Sequence, residues 1–505
     1  MKEGRLKRII KSSASSLLLK AVTFICVFLL TKQIIKSFGS ETNGMISSIG
    51  QFLGIIALAE GGVGGVARAL LYKPLSNKDT HAISKIVHVV ERFFRILSLF
   101  FVAYAVIIAC IYPLVVAKDF DYFYSFFLVL LVSLGTFCEY FFGLSYQVLL
   151  NADQKAYILN YISFFVTIIN FFVCILFIKL GLSIHFVKLA SAIVLMTKPV
   201  VIYLYSKRKY KIKHVSIDKK EKVLTQKWSG FGVHVAYFLH RNTDVILITL
   251  FLGLTQVSIY SVYYMIVSGI STILSSLSLG FEAAFGELYA RDELTTLRKS
   301  FKKYVTYYHL VSTVLFASTI VLITPFMRIY TAGIKDANYI NVSFGILLVL
   351  AEYLYVLRVP FNDLMIATNT FKENSLGAFI EVAINIVCSI VLIRPLGISG
   401  VAVGTCAAML FRLIFFIVFF GKTKVKIDVA WFIKNTFINL ISGCTCLLIP
   451  RLLRFSCGNT YVEWILYSFI VVFYISIFCF AVQVLFNKNE ICSIFKSIKM
   501  LRKGS

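Results

Sequence analysis

Apolar stretches of about twenty residues recur along the whole chain, each long enough to cross a bilayer as a helix. They lie near 13–35, 43–71, 94–113, 123–150, 156–179, 184–206, 229–252, 257–288, 304–330, 340–368, 374–393, 398–421, 429–450 and 461–486. The gaps between them hold no soluble domain of useful size. The pattern predicts an all-α integral membrane protein with about 14 transmembrane helices.

Several of these spans are too polar on one face to be turned to lipid. In 43–71, Asn43, Ser47, Gln51, Gly54, Gly61, Gly65 and Arg68 fall within roughly a third of the helical circumference. In the first span Ser13, Ser16, Lys20, Thr23 and Thr31 share a face. His234, Tyr237, Arg241 and Asp244 do so in the seventh, and Ser261, Ser268, Thr272, Ser275 and Glu282 in the eighth. Such groups would be unsatisfied in hydrocarbon, so these faces are expected to look onto protein or a wet cavity. The run Gly61–Gly65 has neither the strand–loop–helix setting nor the Lys-Ser/Thr of a phosphate loop. It reads as a packing or bending site. With no motif for ATP hydrolysis, any work must draw on an ion gradient, the membrane potential or the substrate's own gradient.

The chain also resembles itself. SFGSETNGMISS parallels FLGLTQVSIYSVYY, and KLGLS (Lys179–Ser183) parallels PLGIS (Pro395–Ser399), at intervals of 214–216 residues. A shift of 214 carries Ser47 onto Ser261, Gly54 onto Ser268, Gly61 onto Ser275 and Arg68 onto Glu282. Under it Gln51 falls on Met265, while Asn43 and Gly65 fall on the apolar Val257 and Leu279. The inferred organisation is a six-helix bundle at 1–206, a basic cytoplasmic linker at 207–228 and a second six-helix bundle at 229–421. Two extra spans and a basic tail follow at 422–505. Duplicated bundles of this kind are a transporter architecture, with the substrate path expected between the repeats.

Composition agrees with the pattern. Of 505 residues, 59% are hydrophobic and only 15% charged, against about 25% charged in soluble domains. The net charge of +27 does not indicate nucleic acid, because no basic stripe with interleaved aromatics lies outside the spans. Lys and Arg instead collect in alternate loops, at Met1–Lys11, Lys73–Arg95, Arg291–Lys303 and Lys488–Lys503. Gly253–Gln256 carries no charge, and Lys118 is flanked by Asp119 and Asp121. This asymmetry puts both termini in the cytoplasm. Lys207–Lys227, with nine basic and two acidic residues, fixes orientation or contacts anionic lipid. The basic head and Lys20 without a following cleavage site read as a retained first span, not a signal peptide. Most of the eleven Cys sit in spans and only Cys457 in an outer loop, so no disulfide framework is expected. Cys444 and Cys446 read as small packing residues, and no metal or cofactor site is predicted.

An ionisable group inside a span costs about 2.5–3.5 kcal/mol or more on insertion scales, so each one needs a reason. Lys20, Arg68 and Arg241 are the candidate cations of a substrate cavity, lined by Asn43, Ser47, Gln51, His234, Tyr237, Asp244, Ser268 and Glu282. Arg68 near its span end also fits snorkelling, and Arg241 and Asp244, three apart, also fit mutual neutralisation. Asp244, Glu282, Glu352 and Glu381 are candidate groups for H+ or Na+ coupling. Glu352 with Arg358, and Glu381 with Asn385, read better as buried structural pairs.

These residues resemble a family. LAEGGVGGVARAL (Leu58–Leu70) is similar to the second-helix signature of polysaccharide exporters and lipid-linked oligosaccharide flippases of Wzx type, with Glu60 where Asp is commoner. HRNTDVILITLFLGLTQVSIYSVYY (His240–Tyr264) resembles their seventh-to-eighth helix signature. LLNADQKAYI and RPLGISGVAVGT resemble two further connections, and the likeness covers about 10–421. The resemblance places the chain with the multidrug/oligosaccharidyl-lipid/polysaccharide (MOP) superfamily and implies a MATE-like fold. It implies a non-enzymatic flippase, in the bacterial inner membrane, for undecaprenyl-diphosphate-linked oligosaccharide of O-antigen, capsule or exopolysaccharide. A polysaccharide polymerase and glycosyltransferases would be its neighbours. A lipid II flippase and a cation-coupled multidrug exporter are the alternatives.

Overall fold

The computed structural model describes residues 2–60, 63–116, 120–212, 231–278, 281–446 and 458–492, and their side chains apart from 2–10, 231–241 and 277. The described residues form helices and turns without strands. The first half runs α1 (Lys2–Phe38), α2 (Ser40–Gly54), α3 (Ala57–Glu60), α4 (Val63–Asn77), α5 (Thr80–Val115), α6 (Tyr122–Cys138), a π-turn (Glu139–Gly143), α7 (Leu144–Ala152), α8 (Ala156–Lys179) and α9 (Ile184–Tyr210). The second runs α10 (Phe231–Leu252), α11 (Leu254–Leu277), α12 (Phe281–Ala290), α13 (Leu294–Tyr330), α14 (Val342–Leu357), α15 (Val359–Ala367), α16 (Phe371–Leu396) and α17 (Ile398–Lys422). Then come α18 (Val429–Cys446) and α19 (Tyr461–Phe486).

Among the described residues, 12 helical segments are long and apolar enough to cross a membrane. The other two expected spans are occupied by α10 and α18. The chain is a multi-pass membrane protein. The linker beyond Ile212, the loop with Lys118 and Asp119, Cys457 and the tail after Cys492 lie outside the described residues.

The helix ends follow from local chemistry. Asp79 caps α5 through His81 N and Ala82 N, Asp121 caps α6, and Asn341 caps α14. Thr460 and Glu463 form a reciprocal capping box on α19.

The internal repeat is written in the backbone. Left-handed φ values occur at Gly39 (87°) and Gly253 (86°), at Lys78 (54°) and Asp292 (59°), and at Gln154 (57°) and Asn369 (53°). They recur at Gly181 (71°) and Gly397 (57°), and at Lys211 (48°) and Lys426 (48°). Each pair is separated by the 214–216 residues seen in the sequence. Non-glycine residues rarely adopt this conformation, so five coincidences at one spacing mean that the turns themselves are duplicated. Among the described residues Gly333 (88°) is the remaining left-handed position, and the place 214 residues before it is outside the described set.

The expected continuous span at 43–71 is corrected: a turn at 55–56 interrupts the helix between α2 and α3, and residues 61–62 lie outside the described set. There the backbone bonds tighten to a spacing of three, Ile55 N donating to the Phe52 carbonyl at 3.3 Å and Ile56 N to the Leu53 carbonyl at 3.4 Å. The turn comes just after Gly54, a residue that costs a helix interior roughly 0.5–1 kcal/mol. The span 214 residues on runs unbroken through the corresponding 269–270 and leaves the helix at Ser278, with 279–280 outside the described set. Helix 6 passes through the π-turn into α7, and α14 breaks at Arg358 into α15.

The chain forms two compact units, Met1–Ser258 and Ile259–Ser505. In the first, Met45, Ile49 and Leu53 of α2 pack on Phe101, Ala105 and Ala109 of α5 and on Leu128 and Val129 of α6. Phe165 and Phe172 of α8 are exposed, as a lipid-facing surface requires. In the second, Ala317 and Leu322 of α13, Cys446 of α18 and Val471, Ile475 and Cys479 of α19 share a core. The Cys446 and Cys479 sulfurs are 3.8 Å apart and free, so Cys446 packs as a small residue.

Candidate functional site

In the first unit the start of the polar stripe is closed by protein. Asn43 Nδ2 donates to Ser258 Oγ at 2.8 Å, and the Ser48 and Thr249 hydroxyls bond at 2.8 Å. All four side chains are buried. The left-handed turn at Gly253 presents the start of α11 to α2, and a Cβ at Gly44 would overlap the Leu254 carbonyl. Asn43 therefore sits in a helix clamp, while Ser47 and Gln51 farther along α2 remain half-buried. Gly44→Ala should destabilise the protein by about 1–3 kcal/mol through overpacking. Gly65→Ala, where the added methyl meets open space, should stabilise it by roughly 0.5–1 kcal/mol. Thermal unfolding of detergent-purified variants checks the opposite signs.

The candidate cations lie on different helices. Lys20 is exposed on α1, and Arg68 is exposed on α4, where its Nε donates to the Gly64 carbonyl at 3.3 Å. Asp244 of α10 is buried. The side chains of His234, Tyr237 and Arg241 lie outside the described set.

A charged cluster in this unit escaped the sequence reading. Glu139, in the π-turn, accepts from Lys198 Nζ of α9 at 3.0 Å and from Gln147 Nε2 of α7. Gly143 of the same turn lets Pro199 approach, since a Cβ there would lie 2.9 Å from the Pro199 Cβ. Glu60 of α3 is within electrostatic reach of Glu139. A π-turn is a frequent mark of a functional site. The available signal was a lone Glu and a lone Lys inside the runs FCEYF and LMTKPV. On α5, Glu91 pairs with Arg95 at 2.6 Å and with His88 at 3.2 Å.

In the second unit, the eighth-span stripe is half-buried or exposed at Ser268, Thr272 and Ser275. Their hydroxyls bond back to Met265, Ser268 and Thr272 carbonyls of their own helix at 3.3, 2.8 and 2.8 Å, leaving their lone pairs on the accessible face. Glu282 is exposed at the start of α12, and Glu352 is half-buried in α14.

Glu381 is buried and bridges two arginines. Arg358 Nη1 is 2.7 Å from Oε1, and Arg412 Nε is 3.4 Å from Oε2. Arg412 also donates to the Asn374 carbonyl at 3.2 Å and lies over the Phe416 ring at 4.2 Å. Asn385, one turn on from Glu381, donates to Thr405 Oγ1 at 3.0 Å. Arg412 was not anticipated. Nor was Asp363, a mostly buried carboxylate that accepts from Tyr304 Oη at 2.6 Å.

The two appended helices are tied in by amides. Asn487 Nδ2 donates to Asn435 Oδ1 at 2.9 Å, Gln483 Nε2 donates to Asn439 Oδ1 at 2.9 Å, and Thr313 Oγ1 donates to the same Asn439 oxygen at 3.1 Å. Asn435/Asn439 and Gln483/Asn487 are each four apart, so each pair projects from one helical face toward α13 and the other appended helix.

Neither a family model nor a curated protein matches the sequence. Solved structures do. Lipid II flippase MurJ in an inward closed conformation is 15% identical with a TM-score of 0.68, and the match covers 95% of this chain and 100% of that one. The chain shares the fold of this structure and of others described as members of the MOP superfamily. An inward-facing MATE multidrug resistance transporter of this superfamily is 13% identical, TM-score 0.59, over 81% of this chain and 95% of its own. A MATE transporter from Vibrio cholerae is 12% identical, TM-score 0.55, over 84% and 99%.

Proposed function

We propose that the chain is a flippase for a polyprenyl-diphosphate-linked oligosaccharide, carrying the saccharide head group from the cytoplasmic to the outer leaflet by alternating access. The observation that carries this reading is the reach of the structural match. The neighbour described as a lipid II flippase matches over all of its own length and 95% of this chain, whereas the MATE transporters reach 81% and 84% of it. The likeness to a protein that moves a lipid-linked saccharide thus extends farther along the chain than the likeness to the drug exporters.

The chemistry supports the same substrate class. A diphosphate calls for cations in a low-dielectric setting, where Lys20, Arg68 and Arg241 act more strongly than in water. Hydroxyl and amide groups on the same helices, among them Ser47, Gln51 and Ser268, suit sugar hydroxyls. Asp244, Glu282, Glu352 and Glu381 remain the groups to test for H+ or Na+ coupling, with Glu381 already occupied by two guanidiniums. The same observation favours lipid II as the second reading, because that is the substrate named for the full-length neighbour.

Deleting the gene should leave undecaprenyl-diphosphate-linked oligosaccharide on the cytoplasmic leaflet and remove the surface glycan. Arrest of cell-wall synthesis with lipid II accumulation would support the second reading. Unchanged surface glycan and unchanged lipid intermediates, with altered drug sensitivity, would overturn both.

A further inference from the structure

A cavity of about 380 Å³ lies in the second unit, where α13 and α18 begin. It is lined by Thr295, Arg298, Lys299, Lys302, Lys426, Ile427, Asp428 and Phe432. Four cations surround it against one carboxylate.

The walls are held before any ligand arrives. Arg298 Nε donates to the Val425 carbonyl at 2.5 Å, Lys302 Nζ pairs with Asp428 Oδ2 at 3.0 Å, and Lys424 pairs with Asp292 at 2.7 Å. The Lys302 ammonium also sits 4.8 Å from the Trp431 ring centre. Its bond to Asp428 holds that carboxyl below the usual carboxylate range, so the frame stays charged at neutral pH. Lys426 occupies a left-handed backbone position, φ 48°, an uncommon conformation for a lysine. Among the described residues, Lys299 and Lys426 form no ion pair, and both are exposed. Buried Ile427 and Phe432 give the cavity an apolar side.

We infer that this cavity binds the phosphate head group of an anionic phospholipid of the bilayer. It opens where spans begin, on the side that the basic loops assign to the cytoplasm, and anionic lipid favours basic groups at that depth. Phosphate charge is matched by Lys299, Lys426 and Arg298, with Thr295 as a hydroxyl donor. The apolar wall lies where the lipid's glycerol and first methylenes continue into the membrane. Bound lipid would fix the start of α18, and through the amide ladder the appended pair, to the inner leaflet. The site is separate from the residues assigned to transport.

Native mass spectrometry of the full-length protein, extracted in mild detergent and offered phosphatidylglycerol or phosphatidylcholine, tests this without a transport substrate. Phosphatidylglycerol should be retained preferentially. Retention should fall about fivefold for each of Lys299→Ala and Lys426→Ala, as expected when one basic group is lost at the membrane surface, and should return in Lys299→Arg and Lys426→Arg. Both side chains are exposed, and unchanged thermal unfolding of the alanine variants establishes that they fold. Equal retention of the two lipids, or equal phosphatidylglycerol retention by wild type and the Lys299→Ala/Lys426→Ala double variant, would overturn the inference. Displacement of the lipid by millimolar inorganic phosphate would assign the site to free phosphate and overturn it too.

Discussion

Glu381→Ala is expected to lower the stability of the purified protein by about 3–5 kcal/mol, the cost of leaving a buried charge without its partner. The carboxylate separates two guanidiniums whose side chains, like its own, are almost wholly buried: 5% exposed for Arg358, 3% for Arg412 and 6% for Glu381. Removing it leaves two like charges in a low-dielectric core. A loss of that size is a large part of the 5–15 kcal/mol typical of a folded domain, by order of magnitude. Arg412→Ala keeps the 2.7 Å pair between Arg358 and Glu381 and should cost less. Replacing all three residues by Leu or Met should recover much of the loss, as apolar substitution of buried ion clusters does elsewhere. Unfolding midpoints in detergent measure each step. A Glu381→Ala variant that melts like the wild type would show that charge does not hold this cluster.

Lys20→Ala and Arg68→Ala are expected to reduce flipping by roughly tenfold or more each, since a hydrogen bond to a charged group contributes about 1.5–3 kcal/mol. The size assumes that each cation meets the diphosphate during the cycle. Both side chains are exposed, so neither change should prevent folding. Lys20→Arg should retain more activity than Lys20→Ala, because a guanidinium keeps the charge and binds phosphate well. Equal loss in both would mean that the position needs the compact ammonium. Normal flipping in both alanine variants would remove these cations from the substrate path. Surface glycan per membrane-inserted protein gives the readout in cells.

Much of the fold was legible in the chain because membrane helices announce themselves by length. A twenty-residue apolar run has few other solutions, and each of the fourteen expected stretches is mostly helical where described, with breaks in 43–71, 257–288 and 340–368. The repeat was legible for a different reason. Gly39 and Gly253, like Gly181 and Gly397, occupy turns that favour glycine, so the sequence kept a mark of the duplicated backbone. The duplicated turn at Lys211/Lys426 carries no such mark, because lysine does not announce a positive φ, and at Gln154/Asn369 only the asparagine hints at one.

The polar chemistry was less legible. A stripe shows that a face avoids lipid, but not whether protein or water covers it. Asn43 found Ser258, a partner 215 residues away. Arg412 and Glu139 each stood alone in an apolar run, and their partners Glu381 and Lys198 lie on other helices. Periodicity along one helix holds no information about such pairings. The amide ladder was more accessible, since Asn435/Asn439 and Gln483/Asn487 share faces at a spacing of four.

The central claim is that the chain moves a lipid-diphosphate-linked saccharide across a bilayer, and reconstitution tests it most directly. The purified protein is placed in liposomes containing a fluorescent undecaprenyl-diphosphate oligosaccharide, and the fraction of head groups reaching the opposite leaflet is followed with a membrane-impermeant quencher. Transfer well above protein-free vesicles is predicted, reduced in Lys20→Ala and Arg68→Ala. Transfer no faster than in empty liposomes, with and without proton and sodium gradients, by protein that retains its folded melting transition, would contradict it.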